Sequence, residues 1–167
     1  MKSVHFVSAW AAVVAMITAS VSMAGTPPNP KDLTQGSWEL QLDKSHFCRN
    51  PPQKSHREIF DAGWGLISVH WTGIDGKGNP MDIHYVYNYN GEKYPSGIDR
   101  PANESITYKL VSPSRVEFKH WSKDDKLTQD LVRTVSADGQ TMTQTTKFIG
   151  GKDEKKECSD YQVFQRQ

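Results

Sequence analysis

The sequence predicts an all-β fold, an antiparallel up-and-down β-barrel of about eight to ten strands. Three observations carry that expectation. No window after residue 30 sustains a 3.6-residue apolar period over a helical length. Apolar and polar residues alternate instead, with the period of a strand that is buried on one side. Gly, Pro, Asn and Asp interrupt the alternation at roughly ten-residue intervals, the spacing of a sandwich or barrel.

Each segment follows from its own pattern. Ser37 to Leu42 places Trp38, Leu40 and Leu42 on one face. A second strand covers Ser55 to Ala62, and Gly63-Trp64-Gly65 turns the chain into Leu66 to Ile74. There Ile67, Val69 and Trp71 share a face. The cluster Asp75-Gly76-Lys77-Gly78-Asn79-Pro80 is a strong turn signal. It leads into Met81 to Tyr89, where Met81, Ile83, Tyr85, Tyr87 and Tyr89 line one side. Asn90-Gly91 is the favoured pair of a two-residue type I′ hairpin, with Glu92 to Pro95 returning. Pro95 confines that segment to an edge, so the strand count is nine or ten. Ser96 to Glu104 reads as a loop. Strands then follow at Ser105–Val111, Arg115–Trp121, Leu127–Val135, Thr141–Ile149 and Cys158–Gln165, the last with Tyr161 and Val163 on one face. The charged run from Lys152 to Glu157 reads as a solvated hairpin tip.

The 167 residues are enough for one domain. Lys and Arg number 20 against 19 Asp and Glu. A chain so balanced lacks the basic excess of a nucleic-acid binder. Mean hydropathy is −0.66, yet aromatics make up 10% of the residues, enough to anchor a core.

The first 24 residues are expected to lie outside the fold. Lys2 precedes an apolar stretch from Phe6 to Ala19, and Ser22-Met23-Ala24 offers small residues at a cleavage point. This is the three-part pattern of a secretory signal peptide, and the apolar run is short for a membrane span. The expected organisation is a signal peptide at 1–24, an extended leader at 25–35 and one barrel domain at 36–167. The mature protein would be periplasmic or secreted, with no remaining membrane span. Export places Cys48 and Cys158 in an oxidising compartment, where a structural disulfide is favoured. An even number of strands would set the first and last strands antiparallel and bring these cysteines to a closed seam.

Several stretches resemble a group of small exported bacterial proteins described as lipocalin-like. Gly36-Ser37-Trp38-Glu39-Leu40 with Lys44-Ser45-His46-Phe47 is similar to their opening segment. Asp75 to Pro80, Asn90 to Gly97 and Ser136 to Thr143 resemble their turns, and Tyr161 to Gln167 loosely matches their C-terminal segment. The resemblance implies a calycin-type barrel and supplies no catalytic residues. It also shows a departure: fatty-acid-binding barrels place a helix pair after the first strand, whereas Arg49 to Lys54, with Pro51-Pro52, is too short for one.

Chemistry-bearing motifs are sparse. The chain has no P-loop, G-x-S-x-G, H-E-x-x-H or paired C-x-x-C. Catalysis, a metal and a cofactor are therefore not expected. Ser68, His70 and Asp82 make a triad only on paper. His70 and His84 could meet across a hairpin and hold a metal or haem, although solvated outer-face residues are the plainer reading. The inward face is more informative. Trp71, Tyr85, Tyr87 and Tyr108 fall on it, as an apolar, aromatic pocket would need. His120 and Arg133 share faces with apolar residues, and an inward guanidinium needs a carboxylate, which a ligand could supply. Trp71, Tyr85, Tyr87, Tyr108, His120 and Arg133 are thus the candidate site for a small apolar or amphipathic ligand, bound without catalysis. The alternatives are a solid-core structural or interaction module of the cell envelope, and a lyase or hydrolase using a barrel cavity.

Overall fold

A computed structural model of the chain describes residues 32–97, 104–150 and 158–167. The expected signal peptide, most of the leader and the charged run at 152–157 lie outside the described residues. Ten strands follow in chain order: β1 (Gly36–Leu40), β2 (Lys54–Gly63), β3 (Leu66–Ile74), β4 (Pro80–Tyr87), β5 (Tyr94–Pro95), β6 (Ser105–Ser112), β7 (Arg115–Trp121), β8 (Leu127–Val135), β9 (Thr141–Phe148) and β10 (Cys158–Arg166). They form one antiparallel sheet in the order β4-β3-β2-β1-β10-β9-β8-β7-β6-β5. Among the described residues the count is therefore ten, and the first and last of these strands do pair: Trp38 faces Arg166, Glu39 faces Gln165 and Leu40 faces Phe164.

The barrel closes at that seam and is left open between β4 and β5. β4 and β5 are the two free edges. The hairpin expected at Asn90-Gly91 does not form, because β5 pairs with β6 instead, Tyr94 opposite Ile106. The reason is local. Gly91 has a left-handed φ of 78°, but Asn90 is not in that region, as a type I′ turn would require. The Asn90 side chain instead accepts from the Glu92 N–H at 3.0 Å, an Asx turn that leads the chain away from β4.

The alternation is otherwise realised as burial. Trp38, Ile59, Val69, Tyr87, Ile106, Tyr108, Val116, Met142 and Phe164 form a continuous core inside the barrel. Two expectations fail at strand ends. Leu42 leaves the sheet for a single 3-10 turn, Leu42–Lys44, and is exposed. Alternation also suggests an inward position for Tyr161 beside the other aromatics, but Tyr161 faces out and Asp160, Gln162 and Phe164 turn in instead.

The two barrel ends differ. At one end Asp32–Gln35, within the span expected as leader, fold into a turn that plugs the barrel. Asp32 accepts from the Thr34 N–H at 2.8 Å, and Trp38 Nε1 donates to the Thr34 carbonyl at 2.8 Å. Arg166 donates to the carbonyls of Leu33 and Gln35, both at 2.8 Å. At the other end the segment from 41 to 53 arches over the mouth. Cys48 and Cys158, 110 residues apart in sequence, are joined by a disulfide with Cα atoms 5.8 Å apart. The disulfide ties this arch to the start of β10, as does the pairing of His46 with Tyr161. Closing so long a loop stabilises by up to about 4–5 kcal/mol in the chain-entropy model. Among the described residues no helix is long and apolar enough to cross a membrane.

Candidate functional site

A cavity of about 280 Å³ runs into the barrel from the arched end. That is near the lower limit of small-molecule pockets. It holds about nine waters' worth of space. Its walls come from most of the sheet. β3 supplies Trp71, β4 Met81, Ile83 and Tyr85, β6 Ile106 and Tyr108, and β7 Phe118 and His120. Phe47, Asn50 and Pro52 of the arch and Gly76 of the β3–β4 turn complete the mouth. The arch thus covers the cavity without a helix pair. A β-carbon on Gly76 would come within 2.6 Å of the Pro51 carbonyl oxygen, so only glycine lets the turn and the arch meet.

Of the residues singled out from sequence, Trp71, Tyr85, Tyr108, His120 and Arg133 line this cavity. Tyr87 does not. It is fully buried behind Tyr108, their rings stacked at 3.5 Å and 8°. Phe118 extends the stack on the far side of Tyr108, at 4.7 Å. Tyr108 also donates its hydroxyl to Tyr85 at 3.3 Å. These rings come from β4, β6 and β7, so they span the interior of the β4–β5 opening.

The polar floor is built from two arginines. Arg133 on β8 is fully buried, and Arg57 on β2 is 4% exposed. Both donate to one acceptor, Gln144 Oε1 on β9. The distances are 2.7 Å from Arg57 Nη1 and 3.1 Å from Arg133 Nη2. Arg57 Nη2 also reaches Gln162 Oε1 at 3.4 Å. Arg57 lies over the Trp71 and Phe164 rings at 4.8 and 4.6 Å, and Arg133 over Phe118 at 5.0 Å. Aromatic faces attract cations, so these contacts offset part of the desolvation. They do not complete it. Among the described residues neither guanidinium has a carboxylate within ion-pair distance, and Arg57 Nε, Arg133 Nε and Arg133 Nη1 have no hydrogen-bond partner.

Electrostatics follow from that arrangement. Burial, and then the like charge of Arg133, push the Arg57 pKa down to about 10. It remains a cation at neutral pH. Burial drives the Tyr87 and Tyr108 hydroxyls well above their ordinary range, so they stay neutral donors. Among the described residues two carboxylates line the cavity, Asp75 and Asp160; Asp160 accepts from the Cys48 N–H at 2.8 Å, and burial raises its pKa. The result is a half-apolar cavity with a positive floor and unused N–H donors.

Arg57 was not singled out from sequence, although its signal equals that of Arg133. Ser55, Arg57 and Ile59 alternate inward as Leu131, Arg133 and Val135 do. Gln144, between Met142 and Thr146, gave no sign beyond its place on that face.

No family model matches the chain, and no curated protein matches it. Solved structures do resemble it. The wild-type fluorescent protein UnaG aligns with a TM-score of 0.55 at 14% identity, covering 80% of this chain and 96% of the other. Fatty-acid-binding protein 1 of Echinococcus granulosus aligns with a TM-score of 0.54 at 14% identity, covering 80% and 97%. At such identity the likeness establishes the fold: a ten-stranded calycin-type barrel.

Proposed function

We propose that this protein is a non-catalytic carrier of a small amphipathic acid. The ligand's anionic head sits between Arg57 and Arg133, and its apolar body lies against Trp71, Tyr85, Tyr108 and the cavity mouth. His120 lines the wall toward the arched mouth, opposite Gln129 in the register and away from the two guanidiniums. The observation that carries this reading is the pair of buried guanidiniums with unused donors and, among the described residues, no carboxylate within ion-pair distance. Two like charges in a low-dielectric site are costly unless an opposite charge joins them. The fold of fatty-acid-binding protein 1 supports a ligand-carrying role for the same architecture. The cavity itself weighs against the solid-core module. Export fits this reading, supported by the three-part pattern of residues 1–24, the disulfide and the resemblance to exported bacterial lipocalin-like proteins. The working unit would be the barrel domain expected at 36–167 together with the plugging turn Asp32–Gln35.

The test compares a medium-chain fatty acid with the alcohol of the same length by calorimetric titration. The acid should bind at least roughly tenfold more tightly, which corresponds to about 1.4 kcal/mol. Equal affinity for acid and alcohol would remove the anionic head from the proposal, and absence of saturable binding by either would remove the carrier role.

A further inference from the structure

The outer wall of the barrel presents a second cluster, unconnected with the cavity. On β3 and β4 the residues Val69, Trp71, Ile83 and Tyr85 turn inward, so His70, Asp82 and His84 between them turn out. The register sets His70 directly opposite His84, with Asp82 two residues before His84 on the same face. The two imidazole rings stack with centroids 3.9 Å apart and planes at 18°. Both present Nε2 to one oxygen: Asp82 Oδ1 lies 2.9 Å from His70 Nε2 and 3.1 Å from His84 Nε2. The ligating atoms all fall within 4.8 Å of one another. The cluster is open to solvent, with the His70 side chain 30% exposed and the His84 side chain 48%.

We propose that His70, His84 and Asp82 form a binding site for a divalent first-row transition ion, copper(II) or zinc(II). Metal–ligand bonds of about 2.0–2.2 Å at tetrahedral angles hold donor atoms about 3.4 Å apart. The observed separations from Asp82 need to open by only a few tenths of an ångström to admit an ion. One cation would sit where both imidazole Nε2 atoms now converge on a single carboxylate oxygen. The surroundings suit this. Glu58 on β2 sits opposite His70 in the register, and its Oε2 lies 3.5 Å from His70 Nδ1. A carboxylate there favours the tautomer with its proton on Nδ1, which turns the Nε2 lone pair toward the ion. This is the usual supporting partner of a metal-bound imidazole. Two imidazoles and one carboxylate favour copper, zinc or nickel over magnesium or calcium, and copper(II) should bind most tightly. Water completes the coordination, because the site faces solvent. An ion here would also pin the free edge strand β4 to β3.

The experiment uses full-length untagged protein with the disulfide intact, stripped by a chelator. It is titrated calorimetrically with copper(II), zinc(II) and magnesium chlorides. One equivalent of copper(II) should bind, more tightly than zinc(II), with magnesium silent. The electron paramagnetic resonance spectrum of the copper form should show coupling to imidazole nitrogen. His70→Ala and His84→Ala should each lower copper affinity at least tenfold, and Glu58→Gln by roughly tenfold. His56→Gln, which alters a separate pair with Glu39, should change nothing. Circular dichroism and retained fatty-acid binding certify the fold of each variant. Asp82→Asn supplies an independent ligand deletion. Copper binding that survives the double variant His70→Ala/His84→Ala, a spectrum without imidazole nitrogen, or magnesium binding as strong as zinc would each overturn the site.

Discussion

Arg57 and Arg133 converge on one amide oxygen, and this sets a conflict between stability and function within single residues. Burial and the second guanidinium work against the cation at Arg133 in the empty barrel, while the tyrosines around it, Tyr108 first, work in its favour and hold its pKa up. Arg133→Met puts a shorter, flexible apolar side chain of broadly similar volume beside Phe118 and removes the charge. Gln144 Oε1 keeps Arg57 Nη1 as a donor at 2.7 Å, so no new unsatisfied acceptor appears. Replacing a buried charge by an apolar side chain of similar volume is commonly neutral or stabilising by about 1–4 kcal/mol. The expected result is a higher urea midpoint for ligand-free Arg133→Met than for the parent, with the preference for acid over alcohol abolished. A less stable variant that still prefers the acid would mean that Arg133 serves packing alone. Period-two alternation was enough to place Arg133 inside, and it would have placed Arg57 equally well. What alternation could not convey is that the two meet. They lie on β2 and β8, and their convergence depends on how far the sheet curls.

At the scale of strands, the informative feature is the opening between β4 and β5. Three strands, Leu66–Ile74, Arg115–Trp121 and Leu127–Val135, coincide with their sequence-based bounds, because each combines clean alternation with unambiguous turn residues. The opening was not legible. Alternation tells which face of a strand is buried but not which strand lies beside it, and Asn90-Gly91 is compatible with both a hairpin and an Asx turn. Aromatic rings take the place of ladder hydrogen bonds across the opening, with Tyr87 and Tyr85 of β4 against Tyr108 of β6. Tyr108→Ala should therefore cost about 3–5 kcal/mol, the range for deleting a buried aromatic ring. Its hydrogen-exchange signature should be local, with protection lost first in β4 and β5 and last along β1 and β10. Tyr108→Phe keeps the stack and gives up only the 3.3 Å contact with Tyr85, so its cost should stay near about 1 kcal/mol. Uniform loss of protection in Tyr108→Ala would mean that the rings do not hold the opening.

For the molecule as a whole, an even strand count implied that the chain ends could meet, and the pairing of β1 with β10 realises this. That closure draws the tyrosines into the interior and fixes the response of the fold to alkali. Tyr87 and Tyr108 are raised well above the ordinary tyrosine value by burial, and Tyr89 by burial and then by the Asp32 carboxylate that accepts its hydroxyl. Above about pH 10 these three would ionise in the unfolded chain but stay protonated in the native one. The native state then binds more protons, so stability falls as pH rises. Arg57 acts in the opposite sense. Its native pKa of about 10 lies below the unfolded value, so it loses its proton first in the barrel and restores some stability over the same window. Three groups oppose one, which leaves a net loss of up to about 2.7 kcal/mol per pH unit. Set against a typical domain stability of about 5–15 kcal/mol, the barrel should unfold within a few pH units above 10. Tyrosinate absorbance followed beside far-ultraviolet circular dichroism checks the sign. The buried tyrosines should ionise only as the β signal collapses, and bound fatty acid should move that collapse to higher pH. Complete tyrosine ionisation within an intact barrel would show that alkali reaches the ring stack through the opening between β4 and β5.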